Sequence, residues 1–293
     1  MFTATRLDAD RRAPWLLVAA ALLFAAMALV AKRASARLPG TEVAFVRFAV
    51  GLAACGIASR RIRLQARNRL GLAMRGAFGG AAVLLYFLAI AHLPVGIATL
   101  LNYTAPVFAT LYAARFLGEA VGRATIAALG LTTVGVTLVI AGTVPAGSFT
   151  LGIWQLVGVG SAMLSGAAVA TIREVRKTDG SWEIFTAFCA MGCLFTAPGA
   201  LLGWVRPGAG EWAALLAVGL LSLVAQLLMT FSLRFVPVAV GGVIAQLTPA
   251  AAMALGWIVL HEHIGGLALG GASLTLLGVS LGTALAARAN ASR

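Results

Sequence analysis

The chain has 293 residues, of which 61% are apolar and only 11% charged. Soluble globular domains carry about a quarter of their residues as charge, so that class is excluded. The formal net charge of +13 does not point to nucleic acid either, because it sits in short segments between apolar runs of bilayer-spanning length.

Ten spanning helices are predicted, at 14–31, 42–59, 71–91, 94–115, 124–142, 151–172, 182–203, 211–233, 236–260 and 265–286. Only helices satisfy their own backbone in lipid, and the runs lack the alternation of a barrel. The first run follows Arg11-Arg12 and precedes Ala34-Ser35-Ala36, as a signal peptide would. It is longer than a usual signal core and has Lys32-Arg33 just before the small residues, so it reads as a span. Pro94 and Pro237 occupy first-turn positions. Glu42, Glu183 and Glu211 each open a helix, where the dipole favours an anion.

Basic residues divide unevenly between the two sets of loops. Arg6, Arg11, Arg12, Arg60, Arg61, Arg63, Arg67, Arg69, Arg115, Arg123, Arg173, Arg176, Lys177, Arg234, Arg288 and Arg293 fall on the side of the N-terminus. Only Lys32, Arg33, Arg37 and Arg206 fall on the other. The positive-inside rule then puts both termini, 1–13 and 287–293, in the cytoplasm. The Ala-, Gly- and Arg-rich composition fits a bacterial inner membrane, with lipid as one partner.

Sliding the chain against itself by 143 residues aligns Pro94-Val95 with Pro237-Val238, Pro106 with Pro249, Glu119 with Glu262, and Gly135-Val136 with Gly278-Val279. Earlier helices match at an offset near 139, where Trp15 meets Trp154. Residues 14–142 and 151–286 are therefore two copies of a five-helix unit. Five is odd, so the second copy crosses the membrane inverted, an arrangement common among transporters with a site at the repeat interface. The expected fold is all-α, with ten transmembrane helices.

These residues carry a family resemblance. Leu38-Pro39 leading to Phe45-Val46-Arg47-Phe48, then Tyr86-Phe87-Leu88-Ala89, Pro94-Val95-Gly96, Pro106-Val107-Phe108, Gly118-Glu119 and Gly135-Val136, resemble the EamA-type ten-helix members of the drug/metabolite transporter superfamily. The second copy is similar from Pro237 through Pro249, Glu262 and Gly278. The resemblance implies the fold over nearly the whole chain and a small-molecule transport activity.

Polar side chains inside spans mark candidate sites. Tyr86 on the third helix and Gln226 on the eighth lie at related positions, as do Thr99, Asn102 and Tyr103 on the fourth and Gln246 and Thr248 on the ninth. Pro106 and Pro249 each remove a backbone bond beside these groups and are expected to break the helix there. The residues either line a central substrate cavity or join helices as polar glue. Phe24, Met27, Met163 and Ser165 on the first and sixth helices are further candidates for lining.

Arg47 sits about 8 Å from one end of the second helix at 1.5 Å per residue. It is expected to snorkel to that end, with pairing to an outer acid such as Glu42 as a gate, or capture of a substrate carboxylate, as alternatives. Arg75 is read the same way at the opposite end. Glu119 and Glu262 read as loop-fixing groups. Gly76/Gly80, Gly266/Gly270 and Gly278/Gly282 have the GxxxG spacing of close helix approach, within a monomer or a weak homodimer.

His261-Glu262-His263 lacks the spacing of a zinc site, Cys55, Cys189 and Cys193 read as packed thiols, and no cofactor or enzymatic motif is apparent. With no Lys or Arg placed at the midplane, a neutral or zwitterionic solute is expected. Tyr86 and Tyr103 suit an aromatic or bulky amino acid, exported by alternating access without obligatory proton coupling. Amphipathic drugs or other metabolites, or a non-transporting scaffold, are the alternatives.

Overall fold

The computed structural model describes residues 2–60, 65–116, 123–143, 152–175, 177–232 and 244–291. Among these, the secondary structure is entirely helical: α1 (Phe2–Ala34), α2 (Gly40–Ser59), α3 (Arg69–His92), α4 (Val95–Asn102), α5 (Ala105–Phe116), α6 (Arg123–Thr143), α7 (Ile153–Val175), α8 (Ser181–Leu202), α9 (Ala209–Ser232), α10 (Leu247–Leu260) and α11 (Gly266–Ala291). Six helical stretches are long and apolar enough to cross a membrane, and four shorter apolar ones, including Val95–Ala109 and Leu247–Leu260, fall at the remaining predicted spans. Pro237, Val238, Gly118, Glu119 and Gly122 lie outside the described residues. Helix α1 begins at Phe2, ahead of its apolar stretch Arg12–Ala34, and α11 runs to Ala291, past its apolar stretch Gly266–Gly282.

Local chemistry explains the boundaries. Asn68 caps α3 by accepting the Gly71 N–H on its side-chain oxygen at 2.9 Å, which satisfies one of the donors left bare at a helix start. Pro39 and Pro94 stand just before α2 and α4 with extended backbone, where the missing N–H is no loss. At the end of α10 the chain turns through His261, whose φ is 53°.

Equivalent helices of the two repeats make equivalent contacts. The first helix of each repeat packs on the third of the other, α1 on α9 and α7 on α3. Helix α2 packs on α8, α4 on α10, and α6 on α11. In the last pair, a Cβ at Gly135 would stand 2.5 Å from the Thr275 backbone nitrogen, and one at Gly278 2.7 Å from that of Thr132. Glycine lets the two backbones touch, so Gly278 is used within the chain. Gly266 and Gly270 meet nothing within 4 Å.

The largest buried cluster lies where the repeats interleave, with Val43, Phe87, Ile90, Leu100, Leu101, Leu215 and Met253 among its members. Trp15, Ile57, Leu202 and Trp257 are exposed. Apolar surface on this scale belongs against lipid.

Loop contacts sort the chain into two ends. At one, Arg37 pairs with Glu211 at 2.7 Å, Glu42 accepts the Val205 N–H at 3.0 Å, and Lys32 donates to the Leu93 carbonyl at 2.8 Å. Glu262 joins them there by accepting the Val95 N–H. At the other, Asp179 accepts the N–H groups of Arg67 and Asn68 at 2.8 and 3.0 Å, and Glu183 that of Gln65 at 3.3 Å. These are the Glu262 end and the Asp179 end below. Each gathers the loops that the alternating topology assigns to one side.

Candidate functional site

The two prolines interrupt their helices at equivalent places. The fourth span is divided into α4 and α5 by a turn at Tyr103-Thr104, with Pro106 in the first turn of α5. In the ninth, Ile244 and Ala245 are helical, Gln246 is a turn, and α10 starts at Leu247 with Pro249 as its third residue. Tyr103 and Gln246 are related by the 143-residue offset. The interruption in the fourth span is a short turn, across which Tyr103 and Thr104 still donate to the Thr99 and Leu101 carbonyls at 3.0 and 3.2 Å.

Three expected site residues near the first break are tied to neighbouring helices. The Tyr86 hydroxyl and Thr99 Oγ1 are hydrogen-bonded at 2.9 Å, and Thr99 also donates to the Val95 carbonyl at 2.7 Å. Asn102 donates its amide to Ser161 and, at 3.3 Å, to Ser165 of α7. Ser161 in turn donates to the Ala82 carbonyl at 2.8 Å. These groups join α3, α4 and α7. Ser161 was missed in the sequence, since a serine on an apolar helix carries no pattern of its own. Gln226, half-buried on α9, also makes a polar contact.

The second break is different. Gln246 is 6% exposed and Thr248 1%, yet neither amide atom of Gln246 nor the Thr248 hydroxyl has a hydrogen-bond partner. Tyr103, half-buried, neighbours Thr248 without bonding it. An unpaired buried amide or hydroxyl costs about 1–3 kcal/mol, and nearly all such groups in folded proteins are satisfied.

The arginines correct the sequence expectation. Arg47 neither snorkels to the Glu262 end nor pairs with an acid there. It is buried, with its guanidinium carbon 5.0, 5.9 and 5.6 Å from the ring centres of Phe48, Phe87 and Phe188. Arg75 is also buried and lies 4.8 Å from the Phe188 ring. Both guanidiniums therefore flank one ring of α8 and stand no more than about 10 Å apart. At an effective dielectric of about 20, two like charges at that distance repel by roughly 1–2 kcal/mol. The midplane is not free of cations as expected, and the argument from their absence to a neutral solute fails.

Glu42 is not a gate partner of Arg47. It is fully buried, faces the α8–α9 connection through Val205, and leaves Oε1 without a partner. Met163 is 43% exposed on the outer face of α7, and Met27 belongs to the main core, so Met163 is removed from the lining candidates. Among the described residues, no group of three or more His, Cys, Asp or Glu side chains is placed to hold a metal.

Two inverted five-helix repeats, with breaks at equivalent depths beside buried polar groups, define a multi-pass membrane transporter. The EamA-like transporter family model matches the chain twice, over residues 11–141 and 152–283, and the chain belongs to that family. It is 32% identical over 228 residues to the pseudopaline exporter CntI of Pseudomonas aeruginosa, covering 76% of this chain and 79% of that protein. It is 28% identical to an uncharacterized transporter of Archaeoglobus fulgidus, covering 81% and 84%. A crystal structure with 22% identity superposes with a TM-score of 0.64 over 95% of this chain and 98% of the other, a likeness of fold. The protein is a multi-pass transporter of the inner membrane.

Proposed function

We propose that this transporter exports amino-acid-type solutes by alternating access, the two repeats moving about the breaks at Tyr103 and Gln246, with both termini cytoplasmic. The observation that carries the reading is the bare amide of Gln246, buried in a helix break opposite its repeat equivalent Tyr103. A primary amide presents two donors and an acceptor, which match the carboxylate and ammonium of an α-amino acid. Tyr86, Tyr103 and Phe188 supply an aromatic wall for the rest of the solute. The export direction draws on the likeness to the pseudopaline exporter. Interhelical joining accounts for Thr99 and Asn102, so Tyr103, Gln246 and Thr248 are the stronger contacts to solute.

The test is efflux from proteoliposomes loaded with an equimolar amino-acid mixture, followed by mass spectrometry of the external medium. Selective loss of some amino acids, absent from liposomes without protein, is expected. Equal retention of every one overturns the proposal.

A further inference from the structure

Arg47 Nε and both Nε and Nη1 of Arg75 have no hydrogen-bond partner, although the two residues are only 7% and 8% exposed. Every carboxylate whose side chain is described lies elsewhere: Glu42, Asp179, Glu183, Glu211 and Glu262 all serve helix ends or loops. Attraction to aromatic faces does not offset burying a full positive charge, let alone two near each other.

The path of Arg75 is the most informative feature. Its Cα is about 9 Å from the Asp179 end of α3 at 1.5 Å per residue. Helical side chains lean toward the helix start, which here is also the direction of water. Arg75 runs the opposite way. It lies over Gly79, one turn deeper, where a Cβ would overlap Arg75 Nη1 and stand 2.8 Å from the Phe188 ring. Gly79 thus leaves a slot that holds the guanidinium near mid-membrane. Arg47 reaches the same ring from α2 and lies close enough to Tyr86 and Tyr103 to interact with them electrostatically.

We propose that Arg47 and Arg75 are the anion-binding residues of the transport site, and that its solute is an amino-acid derivative bearing two carboxylates, one for each guanidinium. The inference rests on the amino-acid exporter reading and sharpens its substrate class. The planar fork of arginine matches a carboxylate through two parallel hydrogen bonds. A separation of at most about 10 Å between the guanidinium carbons fits two carboxylates on a short carbon body. Phe188, with Phe48 edge-on at 5.2 Å, supplies the apolar surface against which that body lies. A solute with one carboxylate would leave one guanidinium uncompensated.

The full chain in proteoliposomes tests this by counterflow of radiolabelled glutamate, N-(carboxymethyl)alanine, glutamine, leucine and glycerol 3-phosphate. The two acidic amino acids should exchange, and glutamine should exchange at least tenfold more weakly than glutamate. Arg47→Gln and Arg75→Gln should each raise the half-saturating concentration by roughly 10- to 100-fold, and the lysine variants should recover part of that loss. In detergent, Arg47→Met and Arg75→Met should raise the melting temperature of the ligand-free protein and abolish the further rise caused by N-(carboxymethyl)alanine. A purely structural pair of arginines gives the reverse: lower melting temperatures, with the ligand effect kept. Exchange of only glutamine and leucine, or of only glycerol 3-phosphate, overturns the dicarboxylate assignment. Exchange of the neutral pair leaves the amino-acid exporter reading standing. Exchange of none of the five overturns both.

Discussion

Both carboxylate oxygens of Glu262 lie within hydrogen-bond distance of the Val95 backbone N–H, at 3.1 and 2.9 Å. A residue following α10 in the second repeat thus caps α4 in the first, and α4 carries Thr99 and Asn102. Lys32 from α1 bonds the carbonyls of Ala91 and Leu93 just before that cap. The start of α4 is therefore fixed by both repeats at once, and a shift between the repeats at the Glu262 end must strain or release it.

Burial is the main influence on Glu262 and raises its pKa, opposed by the Val95 hydrogen bond and then by Lys32. A raised folded-state pKa means that the folded protein binds this proton more readily than the unfolded chain does. The stability tied to it is fully present below the unfolded pKa and is lost as pH rises through the folded one. Glu262→Ala should cost about 0.5–2 kcal/mol through the lost cap. Glu262→Gln, which keeps an acceptor and carries no charge, should cost less. The melting temperature of the wild type minus that of Glu262→Gln should grow as pH is lowered from 7.5 to 5. A difference that shrinks would overturn this account of the carboxylate.

At the opposite end the sign reverses. The Thr178 hydroxyl is the largest influence on Asp179 and lowers its pKa, assisted by the Arg67 and Asn68 N–H groups against the effect of burial. This contribution is present above the unfolded pKa and is lost as pH falls through the folded one. Asp179→Asn should melt below the wild type at neutral pH, and the two curves should converge in strong acid. Curves that stay parallel across the titration would assign the loss to packing instead.

The two tyrosines should separate by measurement. Tyr86 bonds Thr99, so Tyr86→Phe should destabilise the protein by about 0.5–1.5 kcal/mol, read as a lower melting temperature. Tyr103 neighbours Thr248 without a hydrogen bond to it. Tyr103→Phe should change stability by less than about 0.5 kcal/mol and yet slow transport. Equal losses of stability in both variants would make Tyr103 an interhelical joint like Tyr86.

Much of this arrangement was legible in the residues. The 143-residue offset put Pro106 and Pro249 in register, and a mid-span proline removes a backbone bond about a turn earlier, so the interruptions at Tyr103 and Gln246 could be read from the chain, although Pro14 and Pro198 lie within the continuous α1 and α8. Arg47 and Arg75 could be placed in depth by counting along a helix, but not in direction. Water at the near end and the usual lean of helical side chains both favoured snorkelling. What turns Arg75 inward is space, supplied by Gly79 on its own helix and by Phe188 on α8, more than a hundred residues away in sequence. An arginine followed one turn deeper by a glycine was the available signal. Asn102 was ambiguous for a similar reason: its partner Ser161 lies in the other repeat and shows no periodicity.

Relative motion of the repeats is tested at the Glu262 end. Arg37 and Glu211 form an ion pair between the repeats that is more exposed at the arginine. In a double Arg37→Cys, Glu211→Cys variant, a short bifunctional thiol reagent should stop transport, and reduction of a cleavable form should restore it. Cys55 and Cys189 are buried and Cys193 is half-buried, so the reagent-treated wild type is the control. Full transport after complete cross-linking would rule out movement between these two points.

The charges in the middle of the membrane bear on the energy source. Proton coupling through a membrane ordinarily uses a carboxylate or histidine that is exposed to each side in turn. The described carboxylates all sit near helix ends, whereas Arg47 and Arg75 meet near mid-membrane. Arginine keeps its proton at any physiological pH, so it binds an anion without carrying a proton. A solute with two carboxylates and one ammonium carries one net negative charge. An inside-negative potential then drives it outward by about 2.3 kcal/mol per 100 mV, with no need of a proton. Export from proteoliposomes containing N-(carboxymethyl)alanine, which has two carboxylates and one ammonium, should therefore accelerate when a valinomycin-induced potassium potential makes the interior negative, and slow when the potential is reversed. A pH gradient imposed at zero potential should not move the substrate against its own gradient. Accumulation driven by that pH gradient and abolished by a protonophore would establish proton coupling and overturn the uncoupled mechanism.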